Sequence, residues 1–190
     1  MAFRFAYGRP PAVALEGMVA TSQPLATRAG LRMLERGGNA ADAALAAAAV
    51  LCITEPMSTG IGGDAFAIVW ANGRVEGLDA AGPAPRRADP LVPVEERGPR
   101  SVTVPGAVAG WAALAERHGR LGLEACLADA IDTAERGFAV AARTAAAWAA
   151  TLASRMIPSG KGLGAGGQGL CLNAPTQESW QDKPKTSEES

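Results

Sequence analysis

Side chains able to act as nucleophiles, bases or ligands are sparse in this 190-residue chain, and their spacing limits what they could do. His118 is the single histidine. A Ser-His-Asp or Cys-His mechanism would depend wholly on it, because imidazole is the group that ordinarily titrates near neutral pH. It stands beside Gly119 at an expected helix end, which predicts a surface residue. Cys52, Cys126 and Cys171 are scattered and odd in number. That pattern is unlike a disulfide framework or a zinc site and predicts buried, reduced thiols. No metal or cofactor is expected.

Three further groups could carry chemistry. Ser58-Thr-Gly-Ile-Gly-Gly-Asp64 superficially resembles a phosphate cradle. A dinucleotide fingerprint follows a strand and opens a helix, whereas here the predicted order is helix, glycines, strand. A sharp backbone turn where side chains would clash is the simpler reading. Asp64 and Asp79 stand at the two ends of a predicted hairpin and could meet as paired carboxylates, although strand-end carboxylates usually face water or cap turns. Arg86 and Arg87 lie in a proline-rich stretch and could meet an anionic substrate or form a solvated pair. None of these sets contains a base, a nucleophile and an orienting group together.

The elements that must position these residues are legible up to about residue 153. Gly17–Thr21 is a short β-prone run. Thr21 or Ser22 can cap a helix with Pro24 in its first turn and an apolar face of Leu25, Ala29, Leu31 and Leu34. Gly37-Gly38 ends that helix. Asn39 caps a second, Ala40 to about Thr54, with Asp42 at its third position. This helix is apolar all round and must be covered on several sides. Pro56 takes Glu55 out of helical geometry.

Ala65–Trp70 is a continuous apolar run, which predicts a strand buried on both faces. Asn72-Gly73 is a hairpin turn and Arg74–Ala80 the returning strand. Five prolines between 81 and 100 make an irregular loop. A third helix opens at Pro105-Gly106 and runs to His118, with Val108, Trp111, Ala112 and Ala115 on one face. A fourth places Leu123, Leu127, Ala130, Ile131, Ala134 and Phe138 at helical spacing before and past Gly137. A fifth covers about 141–153.

Composition bounds the class. Eighteen Lys and Arg against 19 Asp and Glu give a net charge of −1, which argues against a nucleic-acid partner. Forty-two alanines imply a core of small, closely packed side chains. No run reaches the ~20 apolar residues of a membrane span. Arg4, Arg9, Pro10 and Pro11 break the first residues, so no secretory signal is expected and a cytoplasmic location is. All fifteen arginines lie at or before Arg155 and all three lysines after it, and alanine thins at the same place. Six glycines fall within 158–170, and the last ten residues are polar. The expectation is two regions: 1–153, and a divergent tail 154–190, either a flexible C-terminus or foreign sequence such as a frameshift.

Four motifs in order then resemble one family. Met18-Val-Ala-Thr-Ser-Gln-Pro-Leu-Ala-Thr27, Gly37-Gly-Asn-Ala-Ala-Asp-Ala43, Glu55-Pro56 with Gly60-Ile-Gly-Gly63, and Val104-Pro-Gly-Ala-Val-Ala-Gly110 are similar, over about residues 15–150, to the opening of the γ-glutamyltransferase large subunit. The resemblance implies an α+β chain forming the N-terminal, incomplete portion of an αββα N-terminal-nucleophile hydrolase sandwich. It implies a precursor that cuts itself in two and exposes a threonine, whose hydroxyl attacks a γ-glutamyl amide such as glutathione while its own amine acts as base. That threonine belongs to the small subunit, so no catalytic residue is expected in this chain. The missing C-terminal half is the implied partner, and a small γ-glutamyl molecule the implied substrate.

The resemblance also places an arginine, which grips the glutamyl α-carboxylate, soon after the Asp of the second hairpin strand. Here Leu78-Asp-Ala-Ala81 puts Ala81 at that place, and a bidentate carboxylate contact is lost. A γ-glutamyltransferase-like hydrolase or acylase fits better; the alternative is that Arg86 or Arg87, shifted in position, substitutes for the lost arginine. The competing class is non-enzymatic: a truncated fragment or an Ala-rich helical interaction module. With about two strands, the chain would leave strand edges and apolar faces uncovered, which predicts marginal stability or self-association.

Overall fold

The computed structural model describes residues 11–89, 91–94 and 99–155. Cys171, the glycine-rich stretch and the polar end of the expected tail lie outside them, as do the first ten residues.

The first helix, α1 (Pro24–Glu35), starts on Gln23 rather than on Thr21 or Ser22. The Gln23 side chain accepts from the backbone N–H of Leu25 and Ala26. Thr21 is occupied elsewhere: its Oγ1 donates to Gln23 O at 2.7 Å and lies 2.7 Å from Thr27 Oγ1. Ala26, Ala29, Gly30 and Met33 are buried, while the expected core residue Leu31 is 38% exposed. At the C-terminal end Gly37 takes φ +84°. Its N–H donates to Leu34 O at 3.0 Å and that of Gly38 to Met33 O at 2.9 Å, the two bonds of a left-handed helix stop.

Helix α2 (Ala40–Thr54) is the centre of the molecule, as its uniformly apolar sequence predicts. Asn39 Oδ1 accepts from Ala41 N and Asp42 N, and Asp42 Oδ2 accepts from Asn39 N at 2.8 Å. This reciprocal cap satisfies backbone donors that a helix start otherwise leaves orphaned. Helix α2 packs chiefly on α1 and on α4 (Leu123–Arg136), and less on α3 (Ala107–His118). Met33, Leu45, Val50 and Cys126 are its fully buried neighbours and members. Helix α5 (Ala142–Arg155) follows, and Trp148 meets Phe138 edge to face with centroids 6.2 Å apart.

Strands β1 (Ala65–Ala71) and β2 (Arg74–Ala80) pair antiparallel, from Ala65 opposite Ala80 to Ala71 opposite Arg74. Asn72 (φ +53°) and Gly73 (φ +75°) form the predicted tight turn. This hairpin is the whole sheet among the described residues. Helix α3 covers one face of it, where Leu78 and Trp111 are buried.

The other face corrects the expectation of a strand buried on both sides. Phe66, Ile68 and Trp70 are 65%, 83% and 73% exposed, and Val75 across from Trp70 is 69% exposed. The run is apolar on both faces, but only one of them has a covering layer here. Gly17–Thr21 is likewise not a strand, because among the described residues no neighbouring strand lies beside it to pair. Ala112, Ile131 and Ala134, expected on inward faces, are exposed.

Candidate functional site

The glycine loop, the Ala81 stretch and the Val104-Pro-Gly106 motif meet at the open end of the hairpin, opposite the Asn72-Gly73 turn. Three chain segments meet there, held by backbone. Gly63 O accepts from Gly106 N at 3.0 Å and Ala107 N at 3.1 Å, so the first donors of α3 are spent on the glycine loop. Val104 N donates to Pro83 O at 3.0 Å, and Thr103 Oγ1 donates to Ala81 O at 2.8 Å.

Two glycines permit this crossing. A Cβ on Gly82, which has φ +78°, would lie 1.8 Å from Val104 O. One on Gly106 would lie 2.3 Å from Ala80 O. Both contacts are far inside van der Waals distance, so only glycine fits.

The loop Gly60–Gly63 differs from its expected reading. A Cβ at Gly60 or Gly62 would meet nothing within 4 Å, so no clash within the described residues demands glycine there. The loop's visible work is the Gly63 carbonyl, an acceptor; that is the opposite polarity from an anion cradle.

Asp79 faces Phe66 in the register, not Asp64, and its Oδ1 accepts from Ala81 N at 3.0 Å. The Asp79 carboxylate is thus engaged with the backbone that follows it, and directly across from it stands Phe66 rather than a second carboxylate. Asp64 is exposed just before β1. Ala81 is half-buried and bound through both its N–H and its carbonyl, so its backbone is fixed while its side chain offers only a methyl group. Arg86 and Arg87 are exposed on a turn closed by Ala88 N to Pro85 O at 2.8 Å.

His118 is not the surface residue its place beside Gly119 suggested. Its side chain is 11% exposed, with Nε2 3.4 Å from Glu76 Oε2. Glu76 also accepts from Arg117 Nε at 2.9 Å and Arg74 at 3.2 Å. The His118 carbonyl accepts from Asn39 Nδ2. Histidine thus ties the end of α3 to β2 and to the start of α2.

Asp42 is the residue that sequence reasoning undervalued. It is fully buried. Beyond capping α2 it accepts from Arg120 N (3.0 and 3.1 Å), Leu121 N (3.1 Å) and the Cys126 thiol (3.8 Å). Burial, the largest influence, acts to raise its pKa; the N–H groups of Asn39, Leu121 and Arg120 and the thiol outweigh it and hold the carboxyl below its usual range. The available signal was an acidic residue at the third position of an otherwise apolar helix.

Neither described thiol is activated. Burial, then the neighbouring Asp42 charge, pushes Cys126 up to about 11. Burial also raises Cys52, which is half-buried beside Thr59. Among the described residues no cluster of His, Cys, Asp or Glu could hold a metal, and no helix is long and apolar enough to cross a membrane. An open groove of about 570 Å³ runs along α1 past Thr21, Ser22, Thr27 and Arg28 and includes none of the candidate residues.

A model of the gamma-glutamyltranspeptidase family matches residues 26–162. The chain belongs to the gamma-glutamyltranspeptidase family. It is 39% identical over 153 residues to the acylase ACY 1 proenzyme of Pseudomonas sp. (strain V22), covering 72% of this chain and 27% of that protein. It is 35% identical over 142 residues to the glutathione hydrolase proenzyme of Bacillus subtilis (strain 168), covering 67% and 24%. Among solved structures, the cephalosporin acylase of Bacillus halodurans superposes with a TM-score of 0.72 at 43% identity, covering 80% of this chain and 30% of that one. The chain thus spans about a quarter of the length of the curated gamma-glutamyltranspeptidase relatives it matches. Its mixed helices and small hairpin are those of a partial domain from this family.

Proposed function

We propose that these residues build one wall of an amidohydrolase or acyltransferase of the gamma-glutamyltranspeptidase type, as the N-terminal part of an αββα sandwich. The attacking threonine and the rest of the sandwich belong to polypeptide beyond this chain. No described residue combines a nucleophile with a base, His118 is engaged with Glu76, and the Cys126 thiol is held protonated. The 190-residue chain alone is expected to release no 4-nitroaniline from γ-glutamyl-p-nitroanilide.

The acyl group is the second part of the reading. Its carrying observation is Ala81, clamped at the open end of the hairpin at the place where the family resemblance implies an arginine that grips a glutamyl α-carboxylate. A methyl group gives an anionic acyl tail nothing to bind. The favoured substrate is therefore an amide whose acyl part has no carboxylate at that point. The relatives named acylases support the same direction.

The test uses a chimera in which residues 15–150 replace the matching part of the Pseudomonas sp. (strain V22) acylase proenzyme. The ratio of kcat/KM for γ-glutamyl- over butyryl-p-nitroanilide is measured with and without Ala81→Arg. A hydrogen bond to a charged group contributes roughly 1.5–3 kcal/mol, so the ratio should rise at least ~10-fold. An unchanged ratio rejects the reading. So does efficient γ-glutamyl turnover that is lost in Arg86→Ala or Arg87→Ala, since the guanidinium would then have moved rather than vanished.

A further inference from the structure

We infer, on the reading of position 81 proposed above, that Asp79 and Thr103 are positioning residues that together aim the side chain at that position and so set which acyl groups it accepts. Strand β2 ends at Ala80, whose partner Ala65 closes the register, so among the described residues the peptide groups of residue 81 have no strand to pair with. Two side chains take the place of that strand. Asp79 Oδ1 accepts from Ala81 N at 3.0 Å, and Thr103 Oγ1, from a segment 22 positions further on, donates to Ala81 O at 2.8 Å. One bond fixes the peptide plane before the Ala81 Cα and the other fixes the plane after it. With both planes held, the direction of the Cα–Cβ bond is held as well.

Such a clamp is needed because Gly82 follows. Glycine has the widest backbone freedom of any residue, so the peptide joining 81 to 82 is not fixed by local preference. The crossing itself does not need the clamp. Val104 N to Pro83 O, and Gly106 N and Ala107 N to Gly63 O, are bonds between backbone atoms, and Gly82 and Gly106 pack against Val104 O and Ala80 O. All of these persist without the two side chains. Asp79 and Thr103 are exposed, where a hydrogen bond adds little to folding. Their effect is therefore on direction more than on stability, and it reaches the substrate through residue 81.

The acylase chimera carrying Ala81→Arg is the reporter, because a guanidinium grips a carboxylate in two places only when it is aimed. The γ-glutamyl over butyryl ratio gained with Ala81→Arg should fall at least ~5-fold on adding Thr103→Val or Asp79→Ala, through a higher KM for the γ-glutamyl amide. Thr103→Ser keeps the hydroxyl and Asp79→Asn keeps an acceptor oxygen, so both should retain most of the gain. Thr133→Val removes a hydroxyl-to-carbonyl bond of the same kind in α4 and should leave the ratio unchanged. A second readout needs no substrate. In the 190-residue chain the Ala81 methyl signal, assigned by its disappearance in Ala81→Gly, reports the order of the Cα–Cβ bond. Its order parameter should be near ~0.85 and fall below ~0.6 in Thr103→Val. A ratio kept in both Thr103→Val and Asp79→Ala overturns the inference and leaves the reading of position 81 standing. So does an equal loss for both amides, the mark of a merely structural role, or a loss in Thr103→Ser as large as in Thr103→Val. An order parameter that Thr103→Val does not lower overturns it as well. A ratio that Ala81→Arg itself fails to raise rejects the reading of position 81, and the role in selectivity with it.

Discussion

Replacing Asp42 with alanine should cost this chain more than any single core truncation of similar size. The carboxylate is the shared acceptor for three backbone donors, Asn39 N, Arg120 N and Leu121 N, drawn from the start of α2 and the segment joining α3 to α4. Its removal leaves those donors buried or half-buried without a partner. Each such loss costs ~1–3 kcal/mol, and partial hydration of the 120–121 segment reduces the sum, so ~3–5 kcal/mol is expected. With a urea m-value near ~2 kcal/mol/M, the midpoint should fall by about 2 M. Asp42→Asn retains one acceptor oxygen and should lose about half as much. The assay is urea unfolding followed by circular dichroism at the helical band, with amide exchange at Arg120 and Leu121 as the local readout. The asparagine variant keeps the measurement meaningful if the alanine variant is unfolded without denaturant. A cost under ~1 kcal/mol for Asp42→Ala, with normal helical content, would refute the assignment of Asp42 as the joint between three elements.

Two further outcomes follow from the same geometry. The folded-state pKa of Asp42 is depressed, so its contribution is complete above the unfolded value of about 3.8 and disappears as pH falls through the lower folded value. Stability measured between about pH 5 and pH 2.5 should therefore fall more steeply for the parent chain than for Asp42→Asn, and parallel curves would contradict it. Gly82→Ala places a Cβ on Val104 O at φ +78° and should cost ~3 kcal/mol or more, whereas Gly73→Ala, at φ +75° in open space, should cost only ~1–2 kcal/mol. Equal losses in the two variants would show that the crossing of 80–83 over 103–106 is not tight.

What sequence reveals of this fold is what depends on neighbours within a few residues. The Asn39 and Asp42 cap, the Gly37-Gly38 stop, the Asn72-Gly73 turn and the boundaries of α3 and α4 are all local signals, and all are present. The departures are tertiary. Gln23 displaces Thr21 as the cap because Thr21 has better partners in Gln23 O and Thr27. The period of β1 cannot say which apolar face finds a cover, and Gly17–Thr21 cannot pair without a neighbouring strand. His118 becomes enclosed because Glu76, 42 positions earlier, returns beside it on β2. At the candidate site the motifs lie on segments that the structure brings together, but the way they are joined is not legible. Apart from the Thr103 hydroxyl, their joints are backbone atoms, which carry no sequence signal except the glycines that let them approach.

That construction bears on how specificity could change within the family. The crossing at the open end of the hairpin rests on Gly63 O, Pro83 O, Val104 N, Gly106 N and Ala107 N, none of which depends on the side chain at 81. Ala81 contributes its N–H to Asp79 and its carbonyl to Thr103, bonds that any L-residue except proline can make in part or in full. On the proposed reading of Ala81, the side chain there can vary at a small folding cost, while the group it presents alters substrate preference by roughly a factor of ten or more. If position 81 faces the acyl group as proposed, a wall built largely from backbone contacts lets acyl selectivity change by single substitutions without disturbing the frame. For that reason Ala81→Arg separates selectivity from stability, whereas the same experiment at Asp42 could not.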